Sequence, residues 1–195
     1  MKTIARAYDT YGQARQVVAD LEIAGIATAD INLIANKYVC DETARIEEPS
    51  AAGAGAGVGA ALGGTAGLLA GLGVIAIPGL GPVVAAGALA ATAVGAVAGA
   101  ATGGVVGALI KAGVPEREAE VYCEAVRRGG TMVSVRVPDN RADYVEQIMD
   151  RHEPIDPVER RTLYTGEGWK RFDPTAAPYR PTRAEIDRLR RPYIR

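Results

Sequence analysis

Residues 2–8 alternate in side-chain character, the period of a half-buried strand. Asp9 or Thr10 can cap the helix that follows. There Ala14, Val17, Val18 and Leu21 recur on one face, and Gly25 marks the stop. Ile31, Leu33 and Ala35 then alternate with Asn32 and Asn36, which predicts a second strand. The pattern resumes far downstream. Pro115 suits the first position of a helix whose positive N-terminus accommodates Glu116 and Glu118. Ala119, Tyr122, Cys123 and Val126 form its apolar stripe, and Gly129-Gly130 close it. Val133, Val135 and Val137 alternate with Met132, Ser134 and Arg136, a third strand. Asp139 or Asn140 caps a helix carrying Ala142, Val145, Ile148 and Met149, and a weaker fourth strand is expected over 158–163.

Two β-α-β units in this order predict an α+β fold, a ferredoxin-like sandwich with helices on one face of an antiparallel sheet. Residues 1–38 and 114–163 would form it, with an extra helix between the second and third strands. Because the strands alternate rather than running continuously apolar, the other sheet face is expected to be solvated or only partly covered.

Between the two units the periodicity changes. A polar, acidic linker over 39–50 ends in Glu47-Glu48-Pro49. From Ser50 to Ile110 no Asp, Glu, Lys, Arg or His occurs. Glycine steps by four at Gly55, Gly59, Gly63, Gly67 and Gly71, and a second series runs Gly87, Gly95, Gly99, Gly103 and Gly107. Ile77-Pro78-Gly79-Leu80-Gly81-Pro82 separates them as a turn. The arms, 51–77 and 82–110, are each long enough to cross a hydrocarbon core as a helix, which takes about 20 residues. Wound at about 100° per residue, the glycines line one side of each arm, while Val58, Leu62, Leu68 and Leu69, or Val94 and Val97, line the other. A glycine ridge favours close helix packing. The hairpin, bounded at 51–113, is therefore expected to pack through its glycines and to turn its bulky faces to lipid or to neighbouring subunits. A disordered Gly/Ala linker fits the regular spacing less well. Gly55-x-Gly57-x-x-Ala60 lacks the preceding strand and following acid of a dinucleotide loop, and no Gly-Lys-Ser/Thr offers a phosphate loop.

Charge refines this picture. The formal net charge of −1 hides eight acidic and five basic groups over residues 1–50 and eight basic against four acidic over 165–195. Nucleic acid is not expected as a partner, since the local excess is small. Nothing in the first residues resembles a secretory signal. His152 stands beside Arg151 and Glu153 near a helix end and reads as a surface residue; Cys40 and Cys123 lie outside any metal or redox spacing. Asp41-Glu42 and Glu47-Glu48 read as solvated charge. No catalytic residue, cofactor, metal site or small-molecule substrate is expected. The tail, 164–195, interleaves Tyr164, Trp169, Phe172, Tyr179 and Tyr193 with Lys170, Arg171, Arg180 and Arg183, and Thr182-x-x-Glu185 offers a capping box. Trp169, Arg171, Phe172, Tyr179 and Arg183 are candidate contacts to a headgroup layer or a neighbouring subunit.

The chain resembles the bacterial general-stress-protein (heat-induced stress protein, YflT-type) domain family. The likeness lies in Ile77-Pro78-Gly79-Leu80-Gly81-Pro82, in Gly113-Val114-Pro115-Glu116-Arg117-Glu118-Ala119, and in Arg127-Arg128-Gly129-Gly130 leading into the strand at 132–137. It covers roughly residues 3–163. The resemblance implies stress-linked expression and carries no catalytic residues. The combined expectation is a non-enzymatic, self-associating protein at the cytoplasmic side of a membrane, its glycine-zipper hairpin in the bilayer. The alternatives are a soluble structural homo-oligomer with hairpins buried between subunits and a module that binds a ligand or partner on the open sheet face.

Overall fold

A computed structural model describes residues 1–36, 104–173, 175–176 and 182–184, with 73–77 and 81–86 as backbone. The fold is α+β. Strand β1 (Lys2–Tyr8) leads into helix α1 (Tyr11–Ile23), and β2 (Ile31–Asn36) follows. Strands β3 (Gly73–Ile77) and β4 (Gly81–Ala86) come next, then α2 (Gly104–Lys111) and α3 (Glu116–Arg127). β5 (Thr131–Val137), α4 (Ala142–Asp150) and α5 (Pro157–Gly166) complete the order. One antiparallel sheet runs β1-β5-β2-β4-β3. β5 lies between β1 and β2, which run parallel to each other as the two strands of a split β-α-β unit.

Local chemistry explains the boundaries. Thr10 and Gln13 form a reciprocal capping box at the start of α1, and Gly25 takes a positive φ of 78° at its end. Gly129 does the same after α3 with φ 106°. At Gly130 a Cβ would come within 2.9 Å of the Tyr8 carbonyl oxygen and 3.0 Å of that of Ala125, so the helix-to-strand turn admits glycine alone without backbone movement.

Both faces of the central strands are covered. On one face Ile4, Tyr8, Leu33, Val133 and Val135 pack against Val17, Val18 and Leu21 of α1 and Val145, Ile148 and Met149 of α4. On the other, Ala5, Ala7, Ile34 and Met132 pack beneath Leu109 of α2, Tyr122 and Val126 of α3, and Tyr164, Trp169 and Phe172. The expected open face is therefore absent over β1, β5 and β2. Three of its polar positions, Asn32, Asn36 and Ser134, are buried and paired, while Arg136 stays exposed: Asn32 Nδ2 donates to the Ser134 carbonyl at 3.4 Å and to Ser134 Oγ at 3.3 Å. Asn36 Nδ2 donates to the Arg127 carbonyl at 3.1 Å. Polar side chains whose hydrogen bonds are met inside the protein look, in sequence, like polar side chains facing water.

Two further expectations fail. Residues 158–163 form part of α5, not a fourth strand: Asp156 accepts from the amides of Val158 and Glu159, and Pro157 occupies the first turn. This N-terminal signature outweighs a short apolar alternation. The helical arms 51–77 and 82–110 also fail where they meet the turn, since 73–77 and 81–86 are strands. Val and Ile favour a pleated strand here, and a neighbouring edge in β2 supplies their hydrogen bonds. Pro82 fits because the β2–β4 ladder begins only at Asn36 opposite Val83. Among the described residues no helix is long and apolar enough to cross a membrane. Gly107 lies half-buried in α2. Gly55, Gly59, Gly63, Gly67, Gly71, Gly87, Gly95, Gly99 and Gly103 lie outside the described residues.

Candidate functional site

Among the described residues, charged and aromatic side chains cluster where α5 and the segment after it cross α3. The Ile155 amide donates to the Ala7 carbonyl at 2.8 Å, tying the chain to β1 just before α5 begins. Along α5, Arg160 grips Asp9 with both terminal nitrogens, at 2.7 and 2.8 Å, and Arg161 reaches Glu120 of α3 at 3.2 Å. Tyr164, one turn on, is buried between the helices. Gly168, with φ 91°, turns the chain so that the Trp169 amide donates to the Tyr164 carbonyl at 2.9 Å. The Trp169 ring then meets the Tyr164 ring edge-on, centroids 5.7 Å apart.

At the middle lies Glu124, only 1% exposed. It accepts from Arg127 at 2.6 and 2.8 Å and from Arg128 at 2.6 Å, while Arg128 also pairs with Glu167. The Arg128 guanidinium stands 4.2 Å from the Tyr164 ring centroid, and that of Arg161 stands 5.2 Å from the Trp169 ring. A buried carboxylate with two charged donors and rings stacked on the cations is a cohesive polar layer. It fixes α5 to α3.

Beside this layer a groove of about 630 Å³ runs between Pro115 and Glu118 of α3 and Val158, Arg161 and Thr165 of α5. Its threonine hydroxyls are already engaged, Thr162 with the Val158 carbonyl and Thr165 with that of Arg161. No nucleophile and base meet there. His152 Nε2 lies 2.9 Å from Asp20 Oδ2 and clasps α4 to α1; it is largely buried, not the surface residue the sequence suggested. Cys123 is a free thiol, fully enclosed, and burial pushes its pKa up, so little thiolate forms at neutral pH. Cys40 lies outside the described residues. Burial likewise pushes Tyr122 up to about 12. Among the described residues no group of His, Cys, Asp and Glu could hold a metal ion.

The tail residues divide. Trp169 and Phe172 are 8% and 7% exposed and complete the second core of their own chain, so their rings are not presented to a headgroup layer or a neighbour. They turn inward because α5 brings the chain back over α3, a helix the sequence had read as a strand. Arg171 and Arg183 are exposed, and Tyr179 lies outside the described residues. The hidden sign of this docking was Asp156-Pro157 with Glu159, a helix start in what had seemed the approach to a strand.

The remaining feature is the sheet edge built from the charge-free stretch. β4 pairs with β2 over Leu33–Asn36, and β3 pairs with β4 across a three-residue connection, residues 78–80. The strands on either side of residues 78–80 are thus paired onto the folded unit itself.

No family model, curated protein or solved structure matches the chain.

Proposed function

We propose that this protein is a non-enzymatic structural homo-oligomer, soluble as a particle, in which the glycine-rich segments of neighbouring copies pack together. The single observation that carries the reading is the pairing of β4 onto β2, which fixes the centre of the charge-free stretch to the sheet. Asn36 and Gly73 then lie two strand spacings apart laterally, roughly 10 Å. A segment that leaves and returns to one sheet edge needs two spans of about 20 residues each to cross a bilayer and come back. Only twenty-two charge-free residues, 51–72, are available between the acidic linker and β3. Close packing between copies needs no such length.

The β1-β5-β2 frame reads as a ferredoxin-like half-sandwich whose fourth strand has given way to α5. The polar layer of Glu124, Arg128, Tyr164 and Trp169 ties α5 and the segment after it to α3, which suits a scaffold. The resemblance of Gly113-Val114-Pro115-Glu116 and Arg127-Arg128-Gly129-Gly130 to general-stress proteins supports a stress-response role for the assembly. The bilayer reading rests on the same charge-free composition and differs in what covers the bulky residues.

Fractionation without detergent separates the two. The full-length chain is expected in the high-speed supernatant as a discrete particle larger than its 20.3 kDa mass. Gly63→Leu and Gly99→Leu are expected to reduce the particle size. Recovery only in the membrane pellet, released by detergent alone, overturns the proposal.

A further inference from the structure

The two edges of the sheet are treated differently. A strand residue sends its N–H and C=O to one side, and its neighbours send theirs to the other. Because Ala7 accepts from the Ile155 amide, its polar groups face outward from β1, as do those of Thr3 and Ala5. This edge is guarded: Arg6 Nη1 donates to the Ala5 carbonyl at 3.1 Å, Ile155 occupies Ala7, and the charged Lys2 and Arg6 are tethered to Glu146 and Asp150 of α4. Charge and a crossing chain blunt an edge against foreign strands.

The same phase can be carried across the sheet through its registers. Ile4 and Arg6 face β5, Met132 and Ser134 of β5 face β2, and Leu33 and Ala35 of β2 face β4. Val84 and Ala86 then face β2, and Val83 and Ala85 face β3. Pro82 falls on the side turned toward β2, beyond the ladder, where its missing N–H costs nothing; this agreement supports the phase independently. On β3, Gly73, Ile75 and Ile77 are spent on β4. The N–H and C=O of Val74 and Ala76 point outward, and no described strand pairs with them.

This edge, Gly73-Val74-Ile75-Ala76-Ile77, holds no charge and no proline, and three of its five residues are β-branched. We infer that β3 pairs antiparallel with β3 of a second copy about a twofold axis at Ile75. Val74 then lies opposite Ala76 of the partner copy, and each such pair exchanges two backbone hydrogen bonds, four in all. A twofold pair is self-complementary by construction, so a single uncharged strand suffices for both sides. A charged or proline-bearing partner strand would match this edge no better than its own copy does. The result is one continuous ten-stranded sheet. The inference rests on the proposed self-association and names its twofold contact.

Proline at 74 or 76 removes an outward N–H without touching the bonds between β3 and β4. Val74→Pro and Ala76→Pro are expected to halve the particle mass in sedimentation while the circular dichroism spectrum and the melting temperature of the fold hold. Hydrogen exchange on the unaltered full chain gives a second reading. The Val74 and Ala76 amides are expected to be as protected as those of Gly73 and Ile75. An unchanged mass in both variants, or rapid exchange at Val74 and Ala76 within the intact particle, overturns the edge contact and leaves glycine packing standing. A monomeric native chain overturns both.

Discussion

Trp169→Ala is expected to lower the unfolding free energy by about 3 kcal/mol, read by urea denaturation followed with far-ultraviolet circular dichroism. The ring is 8% exposed and lies in the second core cluster with Tyr122, Tyr164 and Phe172. Removing a large buried aromatic side chain costs about 3–5 kcal/mol, and the cavity here would open against the edge of Tyr164. One opposing effect places the value at the low end. Among the described residues the buried Trp169 indole N–H has no hydrogen-bond partner, and its removal relieves a penalty of about 1–3 kcal/mol. Trp169→Phe keeps much of the packing and sheds that N–H, so it is expected to stay within about 1 kcal/mol of the native protein. A value near zero for the alanine variant would mean that residues 164–173 are an appendage, not part of the core.

Glu124→Ala is expected to cost about 2–3 kcal/mol by the same measurement. Removing one partner of a buried ion pair costs about 3–5 kcal/mol, because the other charge is left without compensation. Here the Arg127 and Arg128 side chains retain 19% and 27% exposure and can recover some hydration, which reduces the loss. Glu124→Gln keeps an acceptor oxygen and is expected to cost about half as much. Because the carboxylate is enclosed, added salt should change this difference little. The two sites share Tyr164 through the Arg128 stack, so the double variant should deviate from additivity. Additive losses would mean that the carboxylate and the rings act separately.

These effects fall in places the sequence shows unevenly. Positions whose period is set by one buried face were legible. Ala14, Val17, Val18 and Leu21, and likewise Val133, Val135 and Val137, all lie in the first core cluster. Glycines that needed a positive φ, Gly25 and Gly129, marked the helix ends. What stayed hidden was burial by a second layer. Asn32, Asn36 and Ser134 were buried through hydrogen bonds that span the sheet or reach the end of α3, and polarity alone cannot distinguish that from solvation. Trp169 and Phe172 looked like free anchors in a basic tail because their docking depends on α5, whose start at Asp156-Pro157 carried the missed signal.

The charge-free stretch illustrates the other limit. Gly, Ala, Val and Ile in long runs satisfy a helix-packing pattern and a strand pattern alike, and only the neighbouring edge of β2 favours strands at 73–77 and 81–86. Residues 78–80, where the turn is expected, lie outside the described residues; the segments on either side of them are strands and not helices. Length alone argues for spanning helices over 51–77 and 82–110; the strands at 73–77 and 81–86 shorten both arms. The guarded edge at β1 and the uncharged edge at β3 make the same point about function. Neither is visible in composition, and both follow once the hydrogen-bond phase of one amide, that of Ile155, is known.

The middle of the glycine-rich stretch is held as strands on the folded unit. Carbon chemical shifts and proton–proton contacts from nuclear magnetic resonance on the isotopically labelled full chain test it most directly. In the phase derived above, Ile34 and Ala85 form a pair without mutual hydrogen bonds, with Cα atoms about 4.5 Å apart. Strand-type shifts through 73–77 and 81–86, with a strong contact between the α-protons of Ile34 and Ala85, are the predicted result. Helix-type shifts through both spans, with no contact between those protons, would contradict it.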